Sequence, residues 1–183
     1  MNIFVTEPCP VKSAQGLCDK HIPKMTLESA QMLSTAWRIH GEQYAEDQGL
    51  YKQAYLNHPC TIWARAEFEN YMWLFKHFVS LCQEYTHRFN KIHASARLIP
   101  ALSRPPTILQ FESDIPDAPK TFALAMPDEY KEENVYSSYR NYLINEKSQH
   151  GGLINGFDKK KAGRKRQQQQ EHPYGYCKWE HAG

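Results

Sequence analysis

The stretch Cys18-Asp19-Lys20-His21-Ile22-Pro23-Lys24-Met25-Thr26-Leu27-Glu28, continued by Ser29 to Leu33, offers an imidazole, an ammonium and a carboxylate within three helical turns. Positions three, four and seven apart are neighbours on a helix, so His21, Lys24, Met25, Glu28, Gln31 and Met32 share one face. Met25 and Met32 flank Glu28, and a carboxylate set in an apolar stripe loses solvation and becomes a candidate acid or base. Near an amine, such a glutamate suits Schiff-base chemistry: the neutral amine attacks an electrophilic carbon while the carboxylate handles protons. The α-amino group, on Met1 or on Asn2 once Met is removed, fits that role. Its reference pKa of about 7.7–8.0 leaves a useful neutral fraction near pH 7. The competing reading is a partly buried Glu28 that is simply paired with Lys24 one turn earlier.

Two other constellations have chemical potential. Cys18-x-x-His21 and His58-Pro59-Cys60 together supply two thiols and two imidazoles, which is a tetrahedral zinc set. The alternative is that Cys18 and Cys60 are small buried groups and that His58 caps a helix. Arg65, Asn70, Lys76 and Arg88, with Trp63, Tyr71 and Trp73 among them, interleave donors with stacking faces as nucleic-acid sites do. These aromatics follow helical periodicity, however, and read mainly as core. Gly-rich phosphate loops, diagnostic Ser/His/Asp spacings and paired-carboxylate hydrolase motifs are absent from the sequence.

The elements that must position these residues are helical. Pro10 opens a short helix to about residue 18. The His21–Trp37 helix follows, with Pro23 tolerable near its start and Gly41 at or just past its end. Residues 42–57 are polar and Tyr-rich and read as a loop with one short turn. Asn57-His58-Pro59 introduces the longest helical region, whose apolar positions from Trp63 to Phe89 recur every three to four residues, with a break near Glu67. A second face carries Trp73, His77, Ser80, Glu84 and Arg88. Residues 93–102 read as a short helix, 104–119 as an irregular Pro-rich segment, and about 132–147 as a final helix entered by the Met126-Pro127-Asp128 turn. The expected fold is mainly α: a single compact helical domain over 1–150, then a basic, Gln-rich, mobile tail over 151–183.

Composition agrees with one folded domain. The 183 residues include 11 Tyr, 8 Phe and 4 Trp, more aromatic content than disordered chains carry. The net charge of +2 conceals an asymmetry. Residues 159–166 hold six basic groups, Lys160 and Arg164 among them. Removing these leaves 16 basic against 20 acidic groups, about −4, so the body is no generic polyanion binder. Any phosphate contact must come from a local patch plus the tail. No apolar run reaches the ~18 residues of a membrane span, and the first residues lack signal-peptide features. Five scattered cysteines without a Cys-x-x-Cys pair suit free thiols in a reducing cytoplasm.

Asp19-x-His21, then Glu28 seven residues after the histidine, on a helix close behind a short N-terminal segment, resembles the phage endonuclease V type of pyrimidine-dimer DNA glycosylase. Asn57-His58-Pro59 before a long helix ending in Glu84-Tyr85-Thr86-His87-Arg88-Phe89 is similar to related proteins of that group. The whole body also resembles a group of small phage proteins that begin Met-Asn-Ile-Phe and carry Cys-Asp-Lys-His. The resemblance covers residues 1 to about 90. It implies a sheet-free helical fold, DNA as partner, a host-cytoplasm location and no cofactor. It also implies that the N-terminal α-amine attacks C1′ of the damaged nucleotide while Glu28 supports base loss and strand cleavage. Asp19 and His21 match the residues that precede the family's glutamate. Leu27 and Gln31 stand where the family has phosphate-holding arginines, and Asn2 is larger than the family's second residue, which favours retention of Met1.

The expected function is therefore a DNA glycosylase, with lyase activity, acting on a damaged or modified pyrimidine. In it Met1 or Asn2 supplies the amine, Glu28 handles protons and His21 orients Glu28 or a phosphate. Asp19, Lys24, His58, Arg65, Asn70, Arg88, Lys160 and Arg164 are the candidate DNA contacts. The alternatives are a zinc-stabilised nucleic-acid-binding module without catalysis, and a phage protein-interaction factor that uses the basic tail as an arm.

Overall fold

A computed structural model describes residues 1–109 and 119–147. The basic tail, with Lys160 and Arg164, and residues 110–118 of the Pro-rich segment lie outside the described residues. The architecture is helical: α1 (Pro10–Gln15), α2 (His21–His40), α3 (Glu42–Asp47), α4 (Pro59–Ala64), α5 (Phe68–Phe89), α6 (Ile99–Leu102) and α7 (Val135–Tyr142), with short 3-10 turns between them. Among the described residues there is no strand, and no helix is long and apolar enough to cross a membrane.

The two long helices, α2 and α5, pack against each other and carry the core. Their junction is polar at one point only by necessity: Trp37 donates its indole N–H to Tyr71 Oη at 3.2 Å and to Arg104 O at 3.1 Å, and Tyr71 donates to Leu102 O at 3.1 Å. A buried hydroxyl without partners would cost a few kcal/mol, so these bonds fix how the 99–104 segment crosses the helix pair. Pro23 sits in the first turn of α2, where its missing N–H has no intrahelical acceptor to serve. At the other end Gly41 follows His40 because of close approach. A Cβ there would stand 2.8–2.9 Å from the Trp37 ring, which already lies on Tyr44 at 4.0 Å between centroids.

The apolar run expected as one helix from Trp63 is two. Arg65 leaves the helical region and Glu67 is extended (φ −140°, ψ 156°), so the break near Glu67 separates α4 from α5. Residues 42–47, expected as part of a loop, form α3, and the helix expected over 93–102 begins as a 3-10 turn before α6. Asn90 closes α5 in the left-handed conformation (φ 52°), with its N–H on Thr86 O at 2.9 Å.

The second face of α5 is buried too. Trp73, His77 and Ser80 are almost wholly buried, because α1 and the segment before it lie across them. Trp73 donates to Pro8 O at 2.8 Å, and His77 Nδ1 bonds Pro10 O at 2.9 Å while its ring stacks on Trp73. Below them Arg88 holds the turn between α1 and α2, donating to Gln15 O, Leu17 O, Asp19 and Glu84. Residues 2–6 therefore run without helix or strand through the interior, turning at Phe4 (φ 41°). Ile3, Phe4 and Val5 are core residues, and Ser13 Oγ bridges Thr6 N–H and Phe4 O.

Cys18, Cys60 and Cys82 are free and buried, whereas Cys9 is disulfide-bonded, which departs from the expectation of free thiols throughout.

Burial pushes the His77 imidazole down to about 4, below its ordinary 6.5. The folded state thus binds this proton less readily than the unfolded chain does. His77's contribution is fully present above pH ~6.5 and is lost as pH falls towards 4, by about 3 kcal/mol in all. Urea unfolding at pH 7 and pH 4.5 should show the loss, and His77→Gln should flatten it. Gly41→Ala should cost about 1–3 kcal/mol by driving Cβ into the Trp37 ring, read as a lower urea midpoint at unchanged slope.

Candidate active site

Glu28 faces the start of the chain from the middle of α2, with Met25 and Met32 buried on either side of it. Its Oε2 accepts the Asn2 peptide N–H at 2.8 Å and lies 3.6 Å from the Met1 α-ammonium; the Met1 side chain is buried, while the residue as a whole is partly exposed. Its Oε1 lies 3.6 Å from Lys24 Nζ, on a side chain that is 69% exposed. The sequence alternatives for Glu28 thus coexist on one carboxylate. The α-ammonium is the better anchored partner, since its residue is seated in the fold while the lysine stands in water.

The side chain of Asn2 fixes the chain at that point. Its Oδ1 accepts from Ile3 N at 2.8 Å and Phe4 N at 3.2 Å, and its Nδ2 donates to Ala125 O at 2.8 Å. Ala125 is in turn held by Tyr139: the hydroxyl donates to Ala123 O at 2.6 Å and receives the Ala125 N–H at 3.4 Å. The Tyr139 ring also meets Phe4 edge-on, and Trp63 donates to Thr121 O at 2.7 Å. Residues 119–126 and α7 therefore brace the amine from the side opposite α2. Neither Tyr139 nor Ala125 was among the residues expected at the site. The amphipathic Tyr spacing of α7 marks a buried face but not what it covers.

His58 and Cys60 complete the surroundings. His58 caps α4 by accepting the Cys60 N–H on Nδ1 at 3.2 Å, ahead of Pro59 at the first helical position. A neutral ring in that pose carries its proton on Nε2 and presents a donor. Burial lowers the His58 pKa, the Met1 ammonium lowers it further, and Glu28 opposes both, which ties His58 electrostatically to the pair. Cys60 hydrogen bonds to Tyr139 and to the Ile3 backbone, and burial pushes its thiol up to about 12. A thiol so placed stays protonated.

That environment does not suit the zinc set. Cys18 Sγ and His21 Nδ1 are 3.3 Å apart, but His58 Nδ1 is taken by the α4 cap and Cys60 is buried against Tyr139. Among the described residues no group of three or more His, Cys, Asp or Glu could hold a metal ion.

The other expected site residues scatter. His21 stands two turns before Glu28 on α2, with its ring on Phe4 at 5.1 Å, so it supports the incoming N-terminal segment. Asp19 and Arg88 bond each other, and Arg88 spends its remaining donors on backbone carbonyls and Glu84. That makes the pair a structural clamp, where a phosphate contact had been expected. Asn70 is buried and donates to Trp63 O, which removes it from any DNA surface. Arg65 donates to Leu56 O and remains partly exposed, and Lys24 is open to solvent. Lys160 and Arg164 lie outside the described residues.

No curated protein and no solved structure matches the chain. A family model described as pyrimidine dimer DNA glycosylase matches residues 1–97, more than half of the 183 residues and the part that contains Met1, Asn2, Glu28 and His58. The chain belongs to the pyrimidine dimer DNA glycosylase family.

Proposed function

We propose that this protein excises a damaged pyrimidine from DNA by attack of its N-terminal α-amine on C1′, with Glu28 as the proton-handling group and an associated lyase step. The observation that carries the reading is the shared carboxylate: amine and Asn2 peptide N–H both converge on Glu28 Oε2 in a chain of this family. The nitrogen lone pair forms a bond to C1′ as the glycosidic bond breaks and its electrons leave with the base. Glu28 takes the proton that the nitrogen sheds. As the sugar ring opens, O4′ takes up a proton and an imine joins protein to DNA. Loss of a C2′ proton then expels the 3′ phosphate and cuts the strand.

The surroundings have matching tasks. The Asn2 side chain keeps the amine from swinging away, since all its hydrogen bonds go to backbone on either side. His58, uncharged with Nε2–H outward, offers substrate a hydrogen bond without adding positive charge beside the amine. Lys24, exposed and one turn from Glu28, supplies charge for a flanking phosphate. Met1 is the assigned bearer of the amine. Asn2 is a large second residue, and its own N–H is already committed to Glu28.

Borohydride trapping on duplex DNA with a thymine cyclobutane dimer or an abasic site tests this directly. The expected product is a reduced covalent adduct that maps, after trypsin digestion, to the peptide starting at Met1. An adduct on Lys24 instead would overturn the amine assignment, and no adduct on either DNA would overturn the reaction. Glu28→Gln should lower excision by roughly 10²–10⁴-fold, the usual scale for losing a positioned acid–base group.

The same pair can be read through stability. Glu28→Gln should destabilise by about 1–2 kcal/mol, because it removes the counter-charge of a partly exposed ammonium and weakens the acceptor of the Asn2 N–H. Lys24→Ala should change stability by less than about 1 kcal/mol. Equal effects of the two substitutions in urea unfolding would show that the exposed lysine, and not the amine, is the partner that matters.

A further inference from the structure

The turn before α4 combines features that a merely connecting loop does not need. Tyr55 has φ 46°, a left-handed conformation that is a genuine outlier for a bulky residue, yet its side chain is 69% exposed and its ring packs no core. Leu56 beside it is also exposed. Strain of this kind persists only where the surroundings over-determine it. They do so here: Ala54 N–H bonds Thr35 Oγ1 at 3.1 Å, Tyr55 O accepts His58 N–H at 2.9 Å, and Leu56 O accepts from Arg65 at 2.8 Å. Upstream, Arg38 holds Leu50 O and Tyr51 O. The backbone is clamped at five residues, and two apolar side chains are left exposed.

The clamp is built on the elements of the candidate site. Thr35 lies seven residues after Glu28 on α2, about 10 Å along the same face. That is roughly three base-pair steps of duplex DNA. His58, three residues after Tyr55, senses the charges of both the amine and Glu28. Arg65, which bonds Leu56 O, is partly exposed, and Lys52 is exposed, so cations lie within a few residues of the turn.

We propose that the Tyr55–Leu56 turn is a wedge that enters the base stack of duplex DNA within about three base-pair steps of the reacting nucleotide and fills space left when the helix is opened. This inference rests on the glycosylase reading of the site. An amine seated against Glu28 in a partly exposed residue reaches C1′, which lies inside the duplex, only if the duplex is distorted around it. An aromatic ring on a rigid turn recovers the lost stacking without paying to order itself on binding. The partner is duplex DNA with a distorted or interrupted stack. Because the wedge touches bases and not phosphates, it contributes to discrimination and leaves the salt dependence to the cations.

The test uses the full chain and a duplex with a stable abasic analogue flanked by 2-aminopurine, whose fluorescence rises when it is unstacked. Wild-type protein is expected to raise the fluorescence. Tyr55→Ala, alone or with Leu56→Ala, should reduce that rise and weaken binding to the abasic duplex roughly tenfold or more. The slope of log affinity against log salt should be unchanged. Tyr55→Phe keeps the ring and should behave as wild type. Tyr55→Gly removes the backbone strain and should unfold at an equal or higher temperature while sharing the defect of Tyr55→Ala, which separates wedge loss from misfolding. An unchanged fluorescence rise in Tyr55→Ala, or a loss of affinity accompanied by a shallower salt slope, overturns the wedge. Borohydride trapping of wild type on the natural abasic duplex runs in parallel. Adduct formation by wild type with undiminished fluorescence in Tyr55→Ala rejects the wedge alone. Absence of any adduct rejects the proposed reaction, while the fluorescence arm still decides whether the turn enters the stack.

Discussion

One carboxylate inside a helix, receiving the α-ammonium and a peptide N–H from the beginning of its own chain, sets the terms for the rest of the molecule. A carboxylate buried as Glu28 is needs partners for its charge, so the first residues must be delivered to it and held there. An extended segment has no internal hydrogen bonds, and each polar group it buries needs a partner from elsewhere. Ser13, Trp73, His77 and the Asn2 side chain meet that demand in turn. The face of α5 opposite α2 is spent on this task. The protein thus uses its longest helix to seat the non-helical residues ahead of α1.

Part of this was readable in the residues. The Asp19, His21 and Glu28 spacing marked α2, and the three-to-four periodicity from Trp63 marked α4 and α5. The break near Glu67 followed from the loss of pattern there. Other features were invisible for a physical reason. Trp73, His77, Ser80, Glu84 and Arg88 read as a polar second face. What makes that face buried is the backbone of Pro8 and Pro10, and carbonyls carry no sequence signature. Arg88 looked like a phosphate ligand because a guanidinium suits phosphate and backbone carbonyls alike, and only the fold shows which it meets. The α3 turn of helix was hidden by polar residues that serve equally in a loop.

The site also reaches past the region that defines the family. Residues 1–97 match the family, yet Asn2 is tied to Ala125 and the Phe4 ring meets Tyr139. Such contacts span more than a hundred residues, and no local pattern in either partner announces the other. The family portion supplies the carboxylate, the amine and the His58 cap. The later portion supplies the carbonyl and the ring that hold Asn2 and Phe4 in place beside them.

The tie between Asn2 and Ala125 has a bearing on how the protein comes into being. Asn2 is made before the backbone that closes over it, which follows 123 residues later. At ordinary elongation rates of about 5–20 residues per second, the nascent N-terminus waits roughly 6–25 s for that partner. During that interval the reactive amine has α2 and α5 to lie against but no outer wall. The pocket is therefore the last part of the domain to be finished, and a chain cut short before Ala125 would carry its amine in water.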